Sequence, residues 1–191
     1  MKLRILLPAL ALLLAAAPLP AQPATPRVTE WRGLSIPQAL GRFRLADQKQ
    51  DEEDGRPRLR LVFTDAEDEI VFVDLHAEDA APCDSGCGAE RVSGALARFK
   101  ETIPQAIEAG RYEGFRITAD STLSATAGPW IAARRLTAEV DEMGTPYEGR
   151  LYFYALPGAT VWAGSQYLPN ARMRTRVDAA VDLLVRTLAG R

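Results

Sequence analysis

Hydrophobic and polar positions alternate in two stretches in the first half of the chain. Arg58-Leu59-Arg60-Leu61-Val62-Phe63 alternates before turning apolar, and Ile70-Val71-Phe72-Val73-Asp74-Leu75 is rich in β-branched and aromatic residues. Both predict strands, with the acidic segment between them as a hairpin loop. Upstream, Trp31, Leu34, Ile36, Leu40, Phe43 and Leu45 come in short bursts broken by Gly33, Pro37 and Gly41, the pattern of short extended pieces joined by turns. From Glu90 the period changes. Val92, Leu96, Phe99, Ile103 and Ile107 recur at three- and four-residue steps and share one helix face. Pro104 interrupts this run, and either the helix kinks there or a new one starts at Thr102, whose spacing to Gln105 is that of a capping box; the restart is the favoured reading. Gly110 is a C-terminal stop.

The second half reads as a meander of four strands, Phe115–Ala125, Trp130–Val140, Arg150–Leu156 and Thr160–Tyr167, separated by Gly128-Pro129, Gly144-Thr145-Pro146 and Pro157-Gly158. Asn170 then caps a helix whose Val177, Ala180, Val181, Leu184 and Leu188 form a stripe opposite Arg172, Arg176, Asp182 and Arg186. The elements predict an α+β domain: a twisted, mainly antiparallel sheet, one helix inserted midway and a C-terminal helix lying across the sheet.

The start of the chain changes where this domain is expected to work. Lys2 and Arg4 precede the apolar run Ile5–Ala17, and Leu19-Pro20-Ala21 is a cleavage site before Gln22. Residues 1–21 therefore read as a signal peptide, 22–27 as a Pro-rich flexible segment, and 28–191 as a single domain, in the periplasm or secreted. The apolar run falls short of the roughly 20 residues that cross a bilayer, and no cysteine stands at the cleavage point, so no stable membrane anchor is expected after processing. Of the 23 basic residues, Lys2 and Arg4 belong to the leader; the other 21 stand against 25 acidic ones, a net charge of −4. That balance argues against a nucleic-acid surface. The acidic clusters Asp51–Asp54 and Asp65–Glu69 read as solvated loop tips or wet faces.

The order of these pieces resembles the PsbP-like family of small exported or lumenal domains. The resembling residues are Trp31-Arg32-Gly33-Leu34-Ser35-Ile36-Pro37, Gly128-Pro129-Trp130-Ile131-Ala132-Ala133-Arg134, the strands around Tyr152 and Val161, and the ending Val177–Leu188. The resemblance implies a sheet covered by helices and a non-enzymatic accessory or binding role. The chain departs from the bacterial lipoprotein members in lacking an acylated cysteine and in carrying Cys83-Asp84-Ser85-Gly86-Cys87.

That segment is the sharpest constellation in the sequence. In an oxidising compartment Cys83 and Cys87 are expected to pair as a structural disulfide. The alternative is a thiol-redox or copper- or zinc-binding site using Cys83, Cys87 and His76, the only histidine. Hydrolysis by a Ser–His–Asp set would have to use His76, and no serine stands in a nucleophile elbow. There is no phosphate-binding glycine loop and no EF-hand spacing, so no cofactor is expected. A carboxylate hydrolase would need two acidic residues facing each other in a pocket, which spacing does not reveal. Trp130, Tyr152, Tyr154, Trp162 and Tyr167 are candidates for an aromatic binding surface, although such residues commonly fill a core. The leading expectation is an exported, non-enzymatic accessory domain for an unknown protein or small ligand.

Overall fold

The structure, a computed structural model, describes residues 28–78, 83–124 and 128–190; the leader, the 22–27 segment and Ala125 lie outside the described residues. A two-stranded hairpin, β1 (Glu30–Trp31) and β2 (Leu34–Ser35), precedes β3 (Ala39–Leu40), β4 (Phe43–Glu53), β5 (Arg56–Thr64) and β6 (Ile70–Ala77). Helix α1 (Ser85–Glu108) follows, then β7 (Gly114–Leu123), β8 (Ala132–Glu142), β9 (Thr145–Leu156), β10 (Ala159–Tyr167) and α2 (Ala171–Leu188). Strands β3 to β10 form one curled sheet in the order β3-β4-β5-β6-β10-β9-β8-β7, with every neighbouring pair antiparallel. Two meanders thus meet at the β6–β10 seam, the predicted α+β architecture.

Period-two alternation sorts the side chains onto two faces. One face carries Phe43, Leu45, Leu59, Leu61, Phe63, Val71, Val73, Leu75, Val161 and Ala163, and α2 closes it with Met173, Val177, Ala180, Val181, Leu184, Val185 and Leu188. Asn170 caps α2 as predicted, its side chain accepting from Arg172 N at 2.8 Å. Polar clamps fix the helix register. Asp178 receives the Arg150 guanidinium, with Nη2 2.7 Å and 2.6 Å from its two oxygens, and the Tyr152 hydroxyl; Glu148 accepts from Arg174 and Tyr167, each at 2.9 Å.

The other face is covered only in part. Helix α1 lays Val92, Ala95 and Leu96 on Leu136, Leu151, Phe153 and Ala155, with Phe72, Phe99, Phe115, Ile117 and Trp162 at the margin. Close approach is built into the strand beneath: a Cβ on Gly164 would sit 2.7 Å from the Phe72 ring and 2.8 Å from the Arg150 carbonyl, so only glycine lets that ring lie over β10.

Two expectations need correction. Helix α1 is a single helix that starts at Ser85 and runs through Pro104. Pro104 and Lys100 are both exposed, so the Lys100 carbonyl that loses its partner faces water, and Thr102 donates back to Phe99 O at 2.7 Å instead of starting a new helix. Its end is as expected: Gly110, at φ +68, gives Gly110 N to Ile107 O and Arg111 N to Ala106 O, both 2.9 Å, a Schellman stop. The acidic run Asp51–Asp54 is likewise not simply a loop tip. Asp51 to Glu53 belong to β4 and pair in register with Arg58 to Arg56 of β5, and the Arg58 guanidinium engages both Asp51 and Glu53.

Candidate functional site

Because α1 shelters the β8-β9-β10 half of its face, the β4-β5-β6 half stays open and polar beside it. Arg58 and Arg60 of β5 and Phe72, Asp74 and His76 of β6 all point to this side, opposite to Leu59, Leu61, Val73 and Leu75. A cleft results along the flank of α1. Its larger section, about 480 Å³, runs between Arg58, Arg60, Phe72 and Asp74 on the sheet and Phe99, Thr102, Gln105 and Ala106 on the helix, ending near Arg111 and Tyr112. A second section of about 330 Å³ continues toward Glu53, His76, Arg98 and Glu101, and shares Glu53, Phe99, Thr102, Gln105 and Trp162 with the first.

The open half-face is a lattice of charges set by strand register. Arg58 is held by Asp51, at 2.7 Å and 3.1 Å, and by Glu53. Arg60 reaches Asp51 at 3.0 Å and faces Asp74 at 3.8 Å. Asp74 is only 9% exposed, and burial pushes its pKa up to about 7; Arg58 opposes that shift while Glu53 and Asp51 reinforce it.

His76 is fixed from both sides. Trp162 Nε1 donates to His76 Nε2 at 3.2 Å, which places the ring proton on Nδ1, 3.3 Å from Glu53 Oε2. Burial lowers the His76 pKa, outweighing the Glu53 charge. The nitrogen that would serve as a general base is therefore occupied by an indole N–H. This arrangement suits a positioned, neutral imidazole better than a proton-transfer catalyst.

The structure does not assemble His76, Cys83 and Cys87 into a ligand set. The cysteines form the expected disulfide, which occupies both sulfurs, and no metal-binding group of three or more His, Cys, Asp or Glu occurs among the described residues. The disulfide ties the residue before the N-cap Asp84 to the first turn of α1, where the Asp84 side chain accepts from Cys87 N at 2.9 Å. Gly88, one residue on, packs directly against Ile131 and Ala132. The staple therefore holds the helix start where it meets β8. Replacing both cysteines by serine is expected to cost about 2 kcal/mol, the chain-entropy value for so short a loop, read as a lower urea midpoint with unchanged slope.

The aromatic set is largely internal. Trp130, Tyr152, Tyr154 and Tyr167 are 8%, 3%, 3% and 1% exposed and belong to the core under α2, so they do not form a binding surface. Alternation turns Tyr152 and Tyr154 of β9 and Tyr167 of β10 inward on the face that α2 closes, and Trp130, just before β8, packs on Tyr154. Trp162 has the opposite parity; half-buried at the cleft, it makes an edge contact to Phe72 with ring centroids 5.3 Å apart. Of the site residues absent from the sequence reading, Arg58, Arg60 and Asp74 carried one usable signal, charges at alternate positions of strands whose other positions are apolar, whereas Glu53 lies in the polar end of β4 and carried none.

These features define a class, an α+β domain in which two helices cover opposite faces of an antiparallel sheet and a polar cleft opens beside the inserted helix. No family model matches the chain, and no curated protein matches it. Among solved structures, the chain is similar to the Pseudomonas aeruginosa protein of unknown function PA94, a putative regulator. The two share 11% identity over 65% of this chain and 85% of that one, with a TM-score of 0.34. A likeness at that level carries no functional argument.

Proposed function

We infer that this protein is an exported, non-enzymatic accessory domain that binds a small ligand in the cleft beside α1. The observation that carries the reading is the cleft itself: a continuous hollow with an aromatic floor, Phe72 and Trp162, a polar strand wall, and a helix wall that mixes Thr102 and Gln105 with Phe99, Ile103 and Ala106. Export is supported by the leader-like Met1–Ala21 pattern and by a disulfide of the kind that persists in oxidising compartments. The non-enzymatic reading is supported by the occupied His76 Nε2 and by the ion pairs that already engage Asp51, Glu53 and Arg58. A PsbP-like relationship, with its accessory roles, remains part of this proposal.

The test is a thermal-shift screen of small polar compounds on the mature protein and on Thr102→Trp, which fills the cleft from an exposed helix position. Compounds that raise the melting temperature of the mature protein and not that of the variant support the reading. If every stabilising compound acts equally on both proteins, the cleft is not the site. Fractionation of a C-terminally tagged full-length chain tests export, and retention in the cytoplasm would refute that part.

A further inference from the structure

We propose that the cleft recognises a neutral polyhydroxylated ligand, a short saccharide, with Arg60 and Asp74 holding adjacent hydroxyls and Trp162 supporting the ring. The proposal rests on the reading of the cleft as a ligand site and adds the chemistry of what enters it.

Register places the three residues in one row. Arg60 lies directly across from Asp74, and Asp74 directly across from Trp162, all on the open face. Cross-strand neighbours of this kind are about 5 Å apart at Cβ, a spacing that lets a donor, an acceptor and an aromatic surface meet one small ring.

Two members of the row have unused hydrogen-bonding capacity. Arg60 Nε is buried without a hydrogen-bond partner. The Asp74 carboxyl, although 9% exposed, makes no hydrogen bond among the described residues, and Arg60 Nε stands 3.8 Å away. Buried polar groups are normally satisfied, so two unmade bonds side by side call for a partner. Both residues line the cleft, Arg60 with a side chain 43% exposed although its Nε is not, and neither group has made its hydrogen bond; a donor beside an acceptor is the complement of a pair of hydroxyls, since each hydroxyl both donates and accepts.

Charge selects against an anionic ligand beside Asp74. Arg58 is spent on Asp51 and Glu53, and the Arg60 Nη2 on Asp51. An anion there would have to draw one of these guanidinium groups from its carboxylate, whereas a hydroxylated ring adds bonds without removing any. The facing helix wall contributes the neutral polar side chains Thr102 and Gln105. The apolar face of a sugar ring can pack on Trp162, whose indole is held in place by its bond to His76.

The experiment titrates the mature protein separately with cellotetraose, maltotetraose, chitotetraose and, as the competing chemistry, tetraglutamate. The readout is the indole N–H resonance of Trp162, one of three tryptophans. At least one tetrasaccharide is expected to shift it saturably. Asp74→Leu should weaken that binding about tenfold or more without lowering the melting temperature, and Arg60→Met should weaken it about fivefold. Saccharide binding unchanged in Asp74→Leu overturns the assignment. A response to tetraglutamate alone overturns the ligand class and leaves the cleft as the site. Failure of all four probes to move the Trp162 resonance at about 10 mM, far above useful affinity, overturns the ligand class, and the Thr102→Trp comparison then decides separately whether the cleft binds anything.

Discussion

Leu184→Asp is expected to abolish the folded state. Leu184 is a fully buried member of the α2 stripe, facing the sheet. Removing it forfeits about 1.5–3 kcal/mol of apolar burial. The carboxylate that replaces it enters a site with no cation in the stripe and must be desolvated or protonated, adding several kcal/mol more. Against a total stability of about 5–15 kcal/mol, the sum leaves little or no native protein. The variant should be insoluble, or soluble without near-UV dichroism or a cooperative melt. Leu183→Asp is the control: its neighbour on the same helix is 41% exposed, and a surface change of this kind should stay within about 0.5 kcal/mol. Equal melting temperatures for the Leu184 variant and the unmodified protein would refute the docking of α2 described above.

The same stripe shows what local pattern conveys. Val177, Ala180, Val181, Leu184 and Leu188 repeat at helical spacing over about three turns, and nothing else in the chain competes for that reading. Strands β5 and β6 and the β7–β10 meander were legible for the same reason, since each carries its own alternation and its own turns. Helix α1 was legible only from Val92 onward. Its first turns contain Gly86, Gly88 and Gly94, which hide the period, and their helical start depends on Asp84 as a cap and on the disulfide. The run through Pro104 could not be read either, because it depends on that residue facing water.

The cleft was less legible than the fold because it depends on strand order. Asp74 meets Arg60 through a hairpin that the sequence does suggest, but it meets Trp162 only because β10 returns to pair with β6, joining residues from opposite halves of the chain. The bond from Trp162 to His76 spans 86 positions. The aromatics of β9 and β10 show the complementary difficulty. Tyr152, Tyr154 and Tyr167 look alike in sequence to Trp162, yet strand parity sends them to the closed face and leaves only Trp162 at the open one.

Asp74→Asn is expected to stabilise the protein in a strongly pH-dependent way. Burial pushes the Asp74 pKa from the ordinary 3.8 up to about 7, so the folded state favours the neutral form. A raised folded pKa means that the stability linked to this group is complete below about pH 3.8 and is lost as pH rises through about 7. Asparagine keeps the shape and carries no charge, so the variant avoids that loss. The charged and titratable groups near Asp74 are Asp51 and Glu53 from β4, Arg58 and Arg60 from β5, and His76 farther along β6, with Arg111 and Tyr112 at the end of the same cleft section and Arg98 and Glu101 along the adjoining one. None is altered by the substitution, so the difference between the two proteins reports Asp74. Three units of pKa correspond to about 4 kcal/mol. We expect Asp74→Asn to gain about 2–4 kcal/mol in urea unfolding at pH 8 and less than about 1 kcal/mol at pH 4. A gain of the same size at both pH values would mean that side-chain packing, not ionisation, sets the effect. A loss at pH 8 would mean that the Arg58 and Arg60 charges hold Asp74 ionised in the folded protein.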